Sequence, residues 1–107
     1  LVWSTTNMTN TGSGERRSAV RINVSGRVQG VGFRYSTLQA ANRIGLTGWV
    51  RNERDGSVEI HAEGRPEKIA ALLDWLEAGG PSSSRIRGIN HYKAQYMGTF
   101  SRFSIEY

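Results

Sequence analysis

The stretch Ser25-Gly26-Arg27-Val28-Gln29-Gly30-Val31-Gly32-Phe33-Arg34 joins a strand-like run to a helix-like run and reads as an anion cradle. Its glycines let several backbone N–H groups turn toward one point. The helix that follows adds its unpaired amides and about half a positive charge at that point. Arg34, in the first turn of that helix, brings a guanidinium fork shaped for phosphate. The expected guest is a phosphate or a similar oxyanion.

Glycine-rich loops serve other chemistries, and two can be compared directly. A Walker loop ends in Gly-Lys-Ser/Thr, which this stretch lacks. The dinucleotide fingerprint is closer: Gly30-Val31-Gly32 supplies its first two glycines, and Glu53 and Asp55 fall about twenty residues on, where a ribose-binding acid belongs. Tyr35, however, occupies the third glycine position, and the chain is too short for a doubly wound sheet. The nucleotide reading is set aside.

Three motifs together resemble the acylphosphatase family, small enzymes that hydrolyse carboxylic-phosphoric mixed anhydrides. They are Gly26-Arg27-Val28-Gln29-Gly30-Val31-Gly32-Phe33-Arg34, Gly45-Leu46-Thr47-Gly48-Trp49-Val50-Arg51-Asn52 and Asp55-Gly56-Ser57-Val58-Glu59. Their order and spacing match, and the similarity runs from about Ala19 to Tyr107. The resemblance implies that Arg34 is the phosphate-binding arginine and that Asn52 positions the attacking water. It makes Gln29, Gly30, Val31, Gly32, Phe33 and Arg34 the substrate phosphate-binding loop. One departure lies downstream: the family often has Gly-Pro-Pro, a small residue, Arg-Val and an acid, whereas this chain has Gly80-Pro81-Ser82-Ser83-Ser84-Arg85-Ile86-Arg87. That segment is read as remote from both motifs and as bearing on substrate preference or stability more than on activity.

An acyl phosphate asks little of a catalyst beyond placement, because its leaving group is a carboxylate of pKa ~4 that departs without a proton donor. What remains is to hold a dianionic phosphoryl group, balance its charge in the transition state and deliver water in line. Loop amides and Arg34 suit the first two tasks. The carbonyl of Asn52 suits the third, since it accepts from water while its NH2 donates elsewhere. An amide is too weak a base to remove a proton outright, so the water's proton is expected to pass to a phosphate oxygen.

Plainer roles stand beside these. Without the resemblance, Asn52 reads first as a turn residue. Gln29 either contacts substrate or stabilises the loop. Phe33, Trp49 and Val50 read as packing residues, with Trp49 at the substrate entrance as the alternative, and Tyr35 reads as surface. His61 and His91 stand alone at no metal-ligand spacing, the carboxylates form no magnesium or calcium motif, and Ser82-Ser83-Ser84 has no triad partners nearby. The expectation is an enzyme without metal or cofactor.

At 107 residues the chain is expected to form one domain with a modest core. The absence of cysteine excludes disulfides and thiolate chemistry and fits a reducing cytosol, so a cytoplasmic location is expected. No apolar run reaches the length of a transmembrane helix, and the tripeptides at Asn7 and Asn23 read as chance glycosylation matches. A formal charge of +5 invites a nucleic-acid reading, but the cations are spread along the chain with no single stripe. Arg27, Arg34 and Arg51 are instead the trio expected to attract a small dianion.

The elements that must position this chemistry follow from periodicity. Residues 1–18, rich in Thr, Ser, Asn and Gly, read as a disordered tail, and 19–107 as the acylphosphatase-like domain. Val20, Ile22 and Val24 alternate as a half-buried strand. Phe33, Thr37, Ala40, Ala41 and Ile44 share one helix face, ended by Gly45. Leu46–Asn52 and Ser57–Glu63 read as strands joined by a turn at Asp55-Gly56. Pro66 starts a second helix that buries Ile69, Leu72, Leu73 and Leu76. Ile86–Gln95 is a fourth strand, and a turn at Met97-Gly98-Thr99 leads to a last one with Phe103, Ile105 and Tyr107.

This order predicts an α+β fold, a ferredoxin-like βαββαβ sandwich with a mainly antiparallel sheet and two helices on one face. The fold hosts many functions, so the loop decides. The first reading is hydrolysis of small acyl phosphates by a monomer, with inorganic phosphate or sulfate as inhibitor and no membrane or specific nucleic-acid partner. The alternative is a non-catalytic ferredoxin-like module that binds nucleic acid or a phosphorylated ligand. Val20–Val24 and Val58–Ala62 lack the solvent-facing aromatics of an RNA-binding sheet, which weighs against it. A third reading, one domain of a larger carbamoyl-transfer protein, is disfavoured by the lack of a further domain or cysteine-rich zinc motif.

Overall fold

Alternation builds the first strand. In β1 (Ser18–Arg27), Val20, Ile22 and Val24 are buried while Arg21, Asn23 and Ser25 on the other face are half-buried. The computed structural model describes residues 16–107; most of the expected tail, residues 1–15, lies outside the described residues.

Helix α1 (Phe33–Ile44) starts where Gly32 takes a left-handed φ of 78°. It buries Phe33, Thr37, Ala40 and Ala41, and ends at Gly45, whose φ of 101° lets its amide return to the Ala41 carbonyl at 2.8 Å. Strand β2 (Thr47–Asn52) then turns into β3 (Val58–Gly64). That turn is held by Asp55, whose Oδ1 accepts from the Ser57 hydroxyl at 2.6 Å and the Ser57 amide at 2.9 Å. Those two bonds, the hydroxyl's first, keep the Asp55 carboxyl below its ordinary range.

Pro66 opens α2 (Pro66–Glu77), where a missing N–H costs nothing. Ile69, Leu72 and Leu76 are buried; Leu73, expected with them, is only half-buried because it lies at the margin of the contact face. Two more strands follow, β4 (Arg85–Ala94) and β5 (Phe103–Glu106).

The sheet runs β4-β1-β3-β2-β5, with β2 and β5 parallel and the other neighbours antiparallel. Helix α1 packs on β2 and β5, and α2 on β1 and β3, so both helices cover one face of the sheet. Ile22 pairs with Ile60 and Val24 with Val58, and all four are fully buried beneath the helices with Leu72 and Leu76. Each such side chain contributes about 1.5–3 kcal/mol by leaving water. The expected ferredoxin-like sandwich therefore forms, with β5 as a fifth strand beside β2.

The link from β4 to β5 differs from the tight turn read at Met97-Gly98-Thr99. These strands are opposite edges of the sheet, four inter-strand spacings or about 19 Å apart, so a tight turn cannot join them. Residues 95–102 instead cross the face away from the helices. Phe100 packs its ring 5.5 Å from that of His61, and Glu63 accepts the amides of Met97 at 2.8 Å and Gly98 at 3.0 Å. Burial acts to raise the Glu63 pKa; the bond from His61 and those two amides outweigh it and hold the carboxyl below its ordinary range.

Candidate active site

Register brings the glycine loop and Asn52 to the same end of the sheet. Val58 of β3 pairs with Val24 of β1 on one side and with Asn52 of β2 on the other. The chain leaving β1 and the end of β2 therefore flank a single point. Between them opens a cavity of about 290 Å³ lined by Val28, Gly30, Gly32, Phe33, Arg34, Tyr35, Asn52, Ile105 and Tyr107.

The floor of this cavity is the start of α1. Its first intrahelical bond runs from the Ser36 amide to the Gly32 carbonyl at 3.0 Å, which leaves the amides of residues 33–35 without an intrahelical acceptor. Gly32 has no side chain to cap them. The positive end of the helix dipole and these donors make an electropositive surface.

Arg34 is half-buried on the same surface, with its guanidinium carbon 5.0 Å from the centroid of the Tyr107 ring. Asn52 is exposed at the end of its strand. Phe33 is buried against Trp75, ring centroids 6.4 Å apart, so what it offers the cavity beyond its ring edge is its backbone. The Gln29 side chain faces the hairpin instead, donating to the carbonyls of Glu53 at 2.7 Å and Ser57 at 2.8 Å. Of the two roles read for Gln29, the structure supports stabilisation of the loop.

Val31 is fixed from an unexpected side. Its carbonyl accepts from the Ser83 hydroxyl at 2.8 Å, and Gly80 lies close to the Phe33 ring. The segment Gly80–Arg87, far from the loop in sequence and read as remote from it, is a neighbour of the loop in space. The turn after α2 returns to the sheet at the end where β1 finishes, since Arg85 pairs with Arg27.

Of the expected cationic trio, only Arg34 reaches the cavity. Arg27 is exposed at the end of β1. Arg51 lies on the far face of the sheet, with its Nε 2.7 Å from Glu53 and its guanidinium carbon 4.4 Å from the Trp49 ring centroid. Trp49 is on that far face too, stacked on His61 at 5.9 Å and flanked by Arg21 at 4.9 Å, which removes it from the entrance. His61 donates from Nε2 to Glu63 at 2.8 Å and accepts at Nδ1 from Arg21 Nε at 3.3 Å, while His91 is exposed. Among the described residues no three His, Cys, Asp or Glu groups cluster to hold a metal ion, and no helix is long and apolar enough to cross a membrane.

Ile105, Tyr107 and Tyr35 also line the cavity. Tyr35 is exposed, as read, yet forms part of the wall. Ile105 and Tyr107 had no signal in the sequence, because their place depends on a parallel pairing between β2 and β5 that local periodicity does not encode.

A ferredoxin-like sandwich with a glycine loop and uncapped amides before its first helix is the class these observations define. The family model described as Acylphosphatase matches residues 20–105, and the chain belongs to that family. It is accordingly a hydrolase of acyl phosphates. It is similar to the acylphosphatase of Nocardioides sp., 53% identical over 66 residues that make up 62% of this chain and 67% of the relative. The acylphosphatase of Methylococcus capsulatus is 44% identical over 86 residues, 80% of this chain and 92% of the relative. Among solved structures, that of acylphosphatase from Bacillus subtilis matches with a TM-score of 0.78 and 40% identity, covering 84% of this chain and 99% of the other. Neither the fold nor these relatives favours the non-catalytic reading.

Proposed function

We propose that the cavity at the start of α1 binds the phosphoryl group of a small acyl phosphate on Arg34 and on the amides of the loop Gln29–Arg34, while Asn52 orients the attacking water. The observation that carries this reading is the shared cavity: Arg34, the uncapped helix start and Asn52 all line it. Residues 19–107 suffice for the activity.

The amides and Arg34 offset the dianion's charge in the ground state and as it spreads over the phosphoryl oxygens. Asn52 accepts one hydrogen of the water through its side-chain carbonyl and aims the oxygen at phosphorus, opposite the acyl oxygen. The new P–O bond forms as the bond to the acyl oxygen breaks, and the electron pair leaves on a carboxylate of pKa ~4 that needs no proton. The water's proton passes to a phosphate oxygen. The products are carboxylate and inorganic phosphate.

Inorganic phosphate and sulfate act as competitive inhibitors, since each is a tetrahedral oxyanion fitted to the same donors. The enzyme works in the cytoplasm as a monomer. A chain without cysteine suits a reducing compartment, and the exposed edge strand β4 carries Arg85, Arg87 and Lys93, charges that discourage pairing with another edge. The test is phosphate release from benzoyl phosphate, with and without EDTA and in rising inorganic phosphate. Hydrolysis that survives the chelator, with phosphate raising KM and leaving kcat unchanged, supports the reading; inhibition that leaves KM unchanged overturns the shared site.

A further inference from the structure

Arg34 rests against a ring and not against a carboxylate. Its guanidinium carbon is 5.0 Å from the Tyr107 ring centroid, and among the described residues no Asp or Glu forms an ion pair with it. The difference decides what the arginine has left to offer. The N–H donors of a guanidinium lie in its plane, so a carboxylate partner occupies some of them and cancels charge, whereas a ring on the flat face occupies none. Arg51 in the same chain shows the other case: it too lies over an aromatic ring, but its Nε is taken by Glu53 at 2.7 Å.

The position of Tyr107 follows from the sheet. In the parallel pair of β2 and β5, Val50 is opposite Ile105 and Arg51 opposite Glu106. One step further along both strands stand Asn52 and Tyr107, on the side of the sheet that α1 covers. A single ring thus lies at the level of Asn52 and beside Arg34, at the wall of the cavity both line. Tyr107 is fully exposed and lies outside the buried core of the described residues.

We propose that Tyr107 is a positioning residue, whose ring holds the face of the Arg34 guanidinium so that its donor edge meets the phosphoryl group as a preformed fork. This rests on the reading of Arg34 as the phosphate-binding residue. Stacking uses a planar delocalised cation, which is why arginine and not lysine fits there. The ring needs no hydroxyl for the task.

The test compares Tyr107→Leu and Tyr107→Phe by benzoyl phosphate kinetics, phosphate competition and thermal melting, each in the parent chain and with Arg34→Ala. Tyr107→Leu is expected to weaken phosphate inhibition and raise KM about two- to fivefold, the range of an exposed cation–π contact. Tyr107→Phe restores both, with Tm unmoved in either variant. With Arg34→Ala present, Tyr107→Leu adds no further loss. Equal phosphate affinity for Tyr107→Leu and the parent overturns the proposal, as does an undiminished loss in the Arg34→Ala background or a Phe variant as weak as Leu. An Arg34→Ala variant that binds phosphate normally overturns the underlying reading of Arg34 instead, so the two failures are distinct.

Discussion

Gln29 and Glu53 are 24 residues apart in the chain and joined by a 2.7 Å hydrogen bond from the Gln29 side-chain amide to the Glu53 carbonyl. The second hydrogen of that amide goes to the Ser57 carbonyl at 2.8 Å. One side chain thereby ties the glycine loop to the turn directly after Asn52, and so couples the groups proposed to hold phosphate to the group proposed to orient water.

Replacing Gln29 by Leu removes both bonds and leaves each carbonyl with its backbone donor alone, the Gly56 amide on Glu53 at 3.2 Å and the Glu53 amide on Ser57 at 2.8 Å. The expected loss is about 1–3 kcal/mol of stability, accompanied by a fall in turnover as the loop and Asn52 drift apart. Gln29→Glu should be the more harmful change, because a carboxylate faces the same two carbonyls with no hydrogen to give. Urea unfolding with parallel benzoyl phosphate kinetics checks both; full activity and stability in Gln29→Leu would show that the tie is dispensable.

Acid should weaken the far end of the molecule first. Glu63 has a carboxyl pKa below its unfolded value, so its contribution is fully present above the ordinary glutamate range and is lost as pH falls through the lower folded value. Glu63→Gln replaces an acceptor of charge-assisted bonds from His61, Met97 and Gly98 and should cost about 1.5–3 kcal/mol at pH 7. That deficit should shrink as pH falls out of the ordinary glutamate range and vanish below the lowered folded value, where the parent's own carboxylate is protonated. Turnover of the folded variant should match the parent, since Glu63 pairs with Thr47 at the opposite end of β2 from Asn52. Urea midpoints across pH test the first claim and kinetics at pH 7 the second.

Much of the fold was legible because its rules are local. Val20, Ile22 and Val24 announce a half-buried strand, and Gly32 and Gly45 bracket a helix whose buried residues recur at helical spacing. The meeting of Arg34 and Asn52 was legible only through the resemblance, since nothing in Asn52 itself separates a turn residue from a site residue. What could not be read was pairing over long separations. The crossover at 95–102 follows from β4 and β5 being opposite edges, which no stretch of sequence states. The position of Tyr107 follows from that crossover. For the same reason Ser83, distant in sequence, bonds to Val31.

That contact predicts a graded effect. Ser83→Ala removes a single exposed hydrogen bond to the loop, so stability should fall by no more than about 1 kcal/mol. The loop it braces is the proposed phosphate cradle, so KM should rise modestly while kcat stays near the parent. Thermal melts and steady-state kinetics decide it; a kinetic profile identical to the parent would make the contact incidental.

The sharpest division of labour lies between Arg34 and Asn52. Arg34→Ala should weaken phosphate inhibition and slow turnover together, because in the proposed mechanism its charge meets the phosphoryl group in both ground and transition states. Lysine should not restore it, for it lacks the planar fork. Asn52→Ala should instead lower kcat by about 10²–10³, or about 2.7–4 kcal/mol, while phosphate affinity stays near the parent, since a group that orients water acts mainly in the transition state. Both positions tolerate truncation structurally: Asn52 is exposed and Arg34 half-buried, with no ion pair to orphan among the described residues. Kinetics and phosphate competition on both variants, with melts to exclude unfolding, measure the split. A folded Asn52→Ala that turns over at the parental rate would return Asn52 to the role of a residue that only ends its strand.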